Sequence, residues 1–324
     1  MKKRFSILCC GRIAETMAST VEKMEEAELY AVAARDLNRA RAFAEKHGFQ
    51  KYYGSYEELA ADEGSDLIYI ASPHSHHEEL VRLCLEHGRN VLCEKPLTVN
   101  RAKAEGLFQL AKSRGLFLME AMWTRFLPSI HKMRELLDGG AIGEPVSLVV
   151  SFGGNVQGDP RLNSPELAGG ALLDTGVYLL TMAELVFGTN PEEIVSSVVK
   201  TPLGVDGLST VVMKFPGGKQ ATLVDSIVCP LDNRAIIYGG EGYLELENFY
   251  GCQKISVFSQ KRELVKCYDI PFDFTGYEYE VRAAFQALER GETECPGMPA
   301  ANTLRILEWT DRLRSEWGVR YPFE

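Results

Sequence analysis

The chain has 324 residues, 45% hydrophobic and 25% charged, which fits a folded globular protein and excludes a disordered, collagen-like or disulfide-scaffold chain. Lys and Arg number 35 against 45 Asp and Glu, a formal net charge of −10, so the molecule repels phosphate backbones at long range and nucleic acid is not expected as a partner. One hydrophobic core rarely grows to this length, which points to two domains. In chain order, short apolar runs at 5–10, 29–34, 67–71, 91–93 and 116–120 read as strands. Between them, 13–24, 37–47, 77–87 and 102–113 read as helices, and Ser55 with Glu58 forms a capping box. This alternation of continuous apolar strands with helices predicts a doubly wound parallel sheet over residues 1–120.

After residue 121 the pattern changes. Strands are expected at 145–152, 195–200, 210–215, 221–228, 234–238, 243–247, 254–259 and 264–270, several joined by Gly-rich hairpin turns. One long helix at 171–187 interrupts them, and helices at 278–290 and 302–317 close the chain. Residues 121–324 therefore read as an open, mainly antiparallel sheet domain with helices, and the last helix is a candidate to pack back on the first domain. The whole is α/β followed by α+β. No stretch of about 18 apolar residues stands out, so no membrane span is expected. The apolar run after Met1-Lys2-Lys3-Arg4 stops at Gly11, short of the roughly 7–15 residues of a secretion-signal core. Eight cysteines show no CxxC or zinc spacing and read as small core residues of a reducing cytoplasm.

Several segments carry candidate chemistry. Cys9-Cys10-Gly11-Arg12-Ile13-Ala14 lies between the first strand and the first helix. It is a G-x-G-x-x-A dinucleotide loop of the Rossmann type with Cys9 in place of the first glycine. Gly11 would let the backbone approach a pyrophosphate, held by the helix N-terminus with Cys10, Arg12 and Ile13. After the second strand come Arg35 and Asp36. An acid there holds the ribose hydroxyls of NAD, and an Arg accommodates the 2′-phosphate of NADP. Asp36 also suits the N-cap of the next helix, which would leave Arg35 to a phosphate; NADP is favoured, with NAD the alternative.

Ser72, His74 and His77 follow the third strand; no carboxylate pattern accompanies these histidines, and no metal is expected. Glu94-Lys95-Pro96 ends the next strand, where ligand crevices open. Lys95 there is either solvated surface or a cation able to bond a substrate hydroxyl or lower a neighbouring acid's pKa. Trp123 and Arg125 open the second domain, Trp123 as pocket wall or core. Asp174 and Tyr178 share one helix face at i and i+4, and the phenol is either a proton-transfer group or a residue paired at the core edge. Phe152 and the loop at 155–167 are further pocket candidates, with Arg161 placed either to meet a polar substrate group or on open surface.

Gly11–Ala14 in its loop, Glu94-Lys95-Pro96, and the run from Gly169 through Asp174 to Tyr178 resemble the glucose–fructose oxidoreductase/inositol dehydrogenase (Gfo/Idh/MocA) family. The resemblance spans essentially the whole chain and includes the turn Gly239-Gly240-Glu241-Gly242. Many members carry His four residues after the Asp; here it is Tyr178. That departure, with the segments around Arg35 and 116–126 and with His74 in place of the usual Asn, resembles the branch of dimeric dihydrodiol dehydrogenases and NADP-dependent D-xylose dehydrogenases. The resemblance implies an NADP-dependent dehydrogenase acting on a CH–OH group of a sugar or vicinal diol. Carried over by position, Tyr178 is the acid–base residue, Lys95 the catalytic cation beside it, and Asp174 the group that orients Lys95 or the substrate. Cys10, Gly11, Arg12, Ile13, Arg35, Ser72, His74, His77, Glu94, Lys95, Trp123 and Arg125 fall at cofactor positions, and Trp123, Phe152, Arg161 and Tyr178 at substrate positions. It further implies a homodimer or higher oligomer formed through a face of the second sheet. The rival readings are a non-catalytic nucleotide-binding regulator and an enzyme that keeps its cofactor bound while two sugars react in turn.

Overall fold

The computed structural model describes residues 2–324. It forms two compact units: the described residues up to 123 with 273–307, and residues 124–272 with 308–324. The sequence reading divides the chain after residue 120, with the helix at 302–317 a candidate to pack back; in the structure residues 273–307 group with the first unit.

The first unit is built from β1 (Lys3–Leu8), α1 (Arg12–Val21), β2 (Ala27–Ala33), α2 (Leu37–His47), β3 (Lys51–Tyr53), α3 (Tyr56–Ala61), β4 (Leu67–Ile70), α4 (His77–Glu86), β5 (Val91–Glu94), α5 (Arg101–Arg114) and β6 (Leu118–Ala121). All neighbours pair in parallel, in the order β3-β2-β1-β4-β5-β6. That is the doubly wound order with its switch point between β1 and β4, beside the loop after β1. The central strands are continuous apolar runs because both their faces are covered: Phe5, Ile7, Leu8 and all of β4 are fully buried. β3 has exposed residues at two of its three positions, so no apolar run announces it.

Helix ends follow local chemistry. Asp36 caps α2, Ser55 and Glu58 complete the capping box of α3, and Asn100 caps α5, while left-handed Gly48 and Gly115 end α2 and α5.

The second unit contains α6 (Pro128–Asp138), β7 (Pro145–Gly153), α7 (Pro160–Asn163), α8 (Val177–Phe187), β8 (Glu193–Lys200), β9 (Asp206–Phe215), β10 (Lys219–Ser226), β11 (Ala235–Gly239), β12 (Gly242–Leu246), β13 (Lys254–Ser259) and β14 (Leu264–Asp269). Its eight strands run in the order β14-β13-β12-β11-β7-β10-β9-β8. The pairing is antiparallel except for β7 with β10, so the sheet is mixed rather than purely antiparallel. β10 alternates: Ala221 and Leu223 are buried, and Thr222 and Val224 face the other way, half-exposed.

The helix expected at 171–187 is interrupted. Leu172–Gly176 is a π-helical turn, and regular α-helix starts only at Val177. The segment Pro165–Phe187 has the length and mean hydropathy, 1.4, of a membrane-crossing helix, against the expectation from apolar runs. Of its most apolar stretch 83% is buried inside the unit, as suits a core helix.

Two helices close the chain, α9 (Glu278–Glu289) and α10 (Ala300–Trp317). α9 belongs to the first unit, with Phe285 edge-on to Phe5 at 6.2 Å and Val281 and Ala284 fully buried. This packing is why 273–307 leave the second unit. Thr303 of α10 donates to Glu120 Oε2 at 2.7 Å in the same unit.

Candidate active site

The loop after β1 is held from two sides. Cys9 N–H donates to Ala33 O at 2.9 Å, and its thiol lies 3.1 Å from the Tyr56 hydroxyl. Arg39 Nη2 donates to Cys10 O at 2.7 Å, a contact no motif signals. Burial pushes the Cys9 thiol up and the Cys10 thiol to about 12, so both stay neutral. Gly11 is the N-cap of α1 with extended backbone, and no side chain caps that helix, unlike α2, α3 and α5. A Cβ on Gly11 would meet only Ala71 O, at 3.9 Å, an ordinary contact. The fold itself therefore does not demand glycine here. An approach of a phosphate to the helix N-terminus does, and the first-turn N–H groups and the helix dipole suit that charge.

At the end of β2, Asp36 accepts from Arg39 N at 3.0 Å, so its carboxylate is used as a cap. Arg35 beside it is exposed, as is Arg12. The loops after β4 and β5 are tied together. The fully buried His77 ring sits 2.7 Å from Pro96 O and 2.9 Å from Ser72 O, so this expected cofactor contact braces the two loops. Buried His74 lies edge-on to His77 at 5.8 Å. The Tyr69 hydroxyl donates to Glu94 Oε1, while Lys95 N donates to Glu94 Oε2 at 3.2 Å. Leu97 N donates to Glu120 Oε1 at 2.9 Å, and Lys95 itself is half-exposed. Trp123 stacks on Tyr277 with ring centroids 4.4 Å apart, a flat aromatic wall.

In the second unit, the turn Leu172–Gly176 and the start of α8 carry Asp174 and Tyr178. Arg161 reaches Asp174 Oδ1 with both terminal nitrogens at 3.3 Å. The residue expected to meet substrate thus orients the Asp174 carboxylate. The Tyr178 ring is framed by two others: Phe152 stacks on Tyr250 at 4.2 Å, and Tyr178 meets Phe152 edge-on at 5.5 Å and Tyr250 at 6.3 Å. Tyr250 is absent from the sequence reading. It follows a turn residue, Asn248 with φ +45°, and no local pattern singles it out. Arg125, expected at the cofactor, makes a buried ion pair with Glu184 of α8 at 2.7 Å. Phe152 and Tyr178 thus meet through their rings and Arg161 and Asp174 through their charges, while Arg125 also pairs with Glu184 of α8.

A model of the oxidoreductase family with an NAD-binding Rossmann fold, GFO/IDH/MocA, matches residues 3–122. The model of the GFO/IDH/MocA C-terminal domain matches residues 130–245. The chain is 36% identical over 330 residues to the trans-1,2-dihydrobenzene-1,2-diol dehydrogenase of Homo sapiens, covering 99% of each, and 35% identical over 335 residues to that of Xenopus tropicalis. Among solved structures it is similar to a 3-ketoreductase from Actinomadura kijaniata in complex with NADP and TDP-benzene. The TM-score is 0.89 at 27% identity, over 97% of this chain and 98% of that one. An aldose-aldose oxidoreductase from Caulobacter crescentus shares the fold, with a TM-score of 0.85 at 22% identity over 98% of each chain.

Proposed function

This chain belongs to the GFO/IDH/MocA oxidoreductase family, and we propose that it is an NADP-dependent dehydrogenase of a secondary alcohol, or reductase of its carbonyl, in a sugar or vicinal diol. The observation that carries the reading is Tyr178, a phenol at the start of α8 framed by Phe152 and Tyr250 and one turn from the Arg161-bound Asp174. Bound NADP supplies the hydride acceptor for oxidation and, when reduced, the donor for the reverse. Cys10, Gly11, Arg12 and Ile13 hold its pyrophosphate at the N-terminus of α1, and Arg35, with Asp36 committed to capping, takes the 2′-phosphate. Ser72, His74, Glu94, Lys95 and Trp123 complete the nucleotide side. Tyr178 takes the proton from the substrate hydroxyl during oxidation and returns it during reduction. Lys95 is the catalytic cation of this reading, and Asp174 fixes the polar end of the substrate site. Phe152 and Tyr250 give that site an aromatic wall suited to the flat faces of a ring.

The open face of the second sheet is the surface on which two copies associate. Ile236, Val149, Thr222, Val212 and Val195 lie side by side on adjacent strands there, all partly exposed and Val149 and Val195 the most. Eight free thiols suit a reducing compartment such as the cytoplasm.

The test is Tyr178→Phe, assayed against a panel of sugars and diols with NADP and NAD side by side. Turnover should fall by about 10²–10⁴-fold, as loss of a positioned acid–base group requires. NADPH affinity should stay within about twofold. Wild-type turnover in that variant removes Tyr178 from the chemistry.

A further inference from the structure

Beneath the turn that carries Asp174 lie two aspartates the reaction does not use. Asp206 begins β9 and Asp225 lies near the end of β10; both are buried, and Ser209 faces Asp225 in the antiparallel register. Leu172 N, at the start of the π-helical turn, donates to Asp206 Oδ2 at 2.6 Å. The Ser209 hydroxyl donates to Asp225 Oδ1. The other oxygen of each carboxyl presses on a glycine. A Cβ on Gly170 would fall 2.2 Å from Asp206 Oδ1, and one on Gly176 would fall 2.5 Å from Asp225 Oδ2. Those two oxygens have no hydrogen-bond partner among the described residues. Gly170 and Gly176 bracket the turn: one precedes it at φ +119°, and the other is its last residue. The chain can lie this close to the carboxyls only where a side chain is missing.

We propose that Asp206 and Asp225 are positioning residues for the reaction, gripping the wide turn at its two ends so that Asp174 and Tyr178 project from one rigid base. The proposal rests on the roles given above to Tyr178 and Asp174. A π-helical turn is a rare local form, and here its first amide and its last glycine both touch the sheet through these carboxyls.

The pair also responds to pH. Burial raises Asp206 to about 6, against the lowering effect of the Leu172 amide and of Arg314. Burial, with Asp206 adding to it, raises Asp225 to about 7. The other charged and titratable groups facing the pair are Tyr321 and Arg314, the latter bound to Glu324; the turn itself carries the Asp174–Arg161 pair. Between about pH 6 and 7 the pair thus carries about one negative charge, and as the pH rises further the second carboxyl ionises. Two buried like charges then repel, and the seat of the turn loosens.

Asp225→Asn keeps an oxygen for the Ser209 hydroxyl and cannot ionise; Asp225→Ala removes the contact. The measurements are kcat and KM from pH 5 to 9, NADPH affinity, and hydrogen exchange of residues 168–180. The wild type should lose kcat on the alkaline side of about pH 7, and Asp225→Asn should lack that fall while keeping kcat near pH 6 within about threefold. Asp225→Ala should lose roughly 10–100-fold in kcat, with NADPH affinity within about twofold and faster exchange over 168–180. An alkaline limb in Asp225→Asn identical to the wild type, or wild-type kcat in folded Asp225→Ala, overturns the proposal. If Asp225→Ala does not fold, the limb in Asp225→Asn decides alone. Turnover surviving in Tyr178→Phe while exchange over 168–180 still rises in Asp225→Ala would locate the error in the role of Tyr178 rather than in the grip.

Discussion

Cys9 adopts φ +77°, a conformation that costs an ordinary side chain about 1–2 kcal/mol. Its amide is fixed to Ala33 and its thiol to Tyr56, so the surrounding contacts hold the turn that a glycine would adopt freely. The loop therefore keeps its course without the first glycine of the motif. Cofactor choice rests on its neighbours. Asp36 is occupied by Arg39 N, while Arg35 stands exposed at the strand end. Arg35→Ala should raise KM for NADP roughly 10–100-fold, the worth of about 1.5–3 kcal/mol of charge-assisted bonding, and leave KM for NAD within about twofold. An unchanged NADP-to-NAD preference would move the discrimination elsewhere. The double role of Asp36 is legible because capping is local: an acid immediately before a helix finds its donor, a backbone N–H, three residues ahead. Arg161 and Arg125 are not legible in the same way. Their acidic partners lie 13 and 59 residues away, and only the folded chain brings them into contact. Asp206 and Asp225 escape the sequence for the same reason, since strand pairing rather than spacing places them, and Tyr250 sits in a short turn between two strands that no local pattern marks.

Elements announce themselves when their burial follows their own period. β10 and β12 of the second sheet do, and so do the capped helices of the first unit. β3 has only Tyr53 partly covered, and the wide turn before α8 is imposed by the aspartates and glycines around it. α6 was legible in principle, with Ile130, Met133 and Leu136 buried on one face, but Pro128 at its start resembles a break when read alone. α9 carries the sharpest conflict between an element and its residue. Glu280 is fully buried, and neither carboxyl oxygen has a hydrogen-bond partner among the described residues. Burial, with Glu94 adding to it, holds this carboxyl well above its usual range. The folded chain thus keeps a proton that the unfolded chain releases above about pH 4.5. Stability contributed here is present below that pH and is lost as pH rises toward the folded value. Glu280→Met should therefore stabilise the protein by about 1–3 kcal/mol near neutrality and by less at pH 4.5, read as the difference in thermal midpoint between the two conditions. A gain that does not grow with pH would mean that the carboxyl has an acceptor or donor in solution.

At the scale of the whole molecule, the charge of −10 is unevenly useful. Two copies of so acidic a chain repel at long range, and any association must use a face that carries little of that charge. The open face of the second sheet is such a surface. The row Ile236, Val149, Thr222, Val212 and Val195 is uncharged, and its next member across β12 is Glu245, bound to Arg234 at 3.3 Å. Val149 and Val195 are 41% and 52% exposed, too much for the interior of a lone sheet and suited to the apolar centre of a contact between copies. Light scattering should then give about twice the chain mass of 36.1 kDa. Val149→Lys with Val195→Lys sets new like charges against each other across a two-fold contact and should return the protein to a single chain. Both positions point away from the buried side of the sheet, so the thermal midpoint of the variant should change little at concentrations where the wild type is itself dissociated. A single-chain mass for the wild type, or an undiminished dimer in the double variant, would assign the apolar row to another partner.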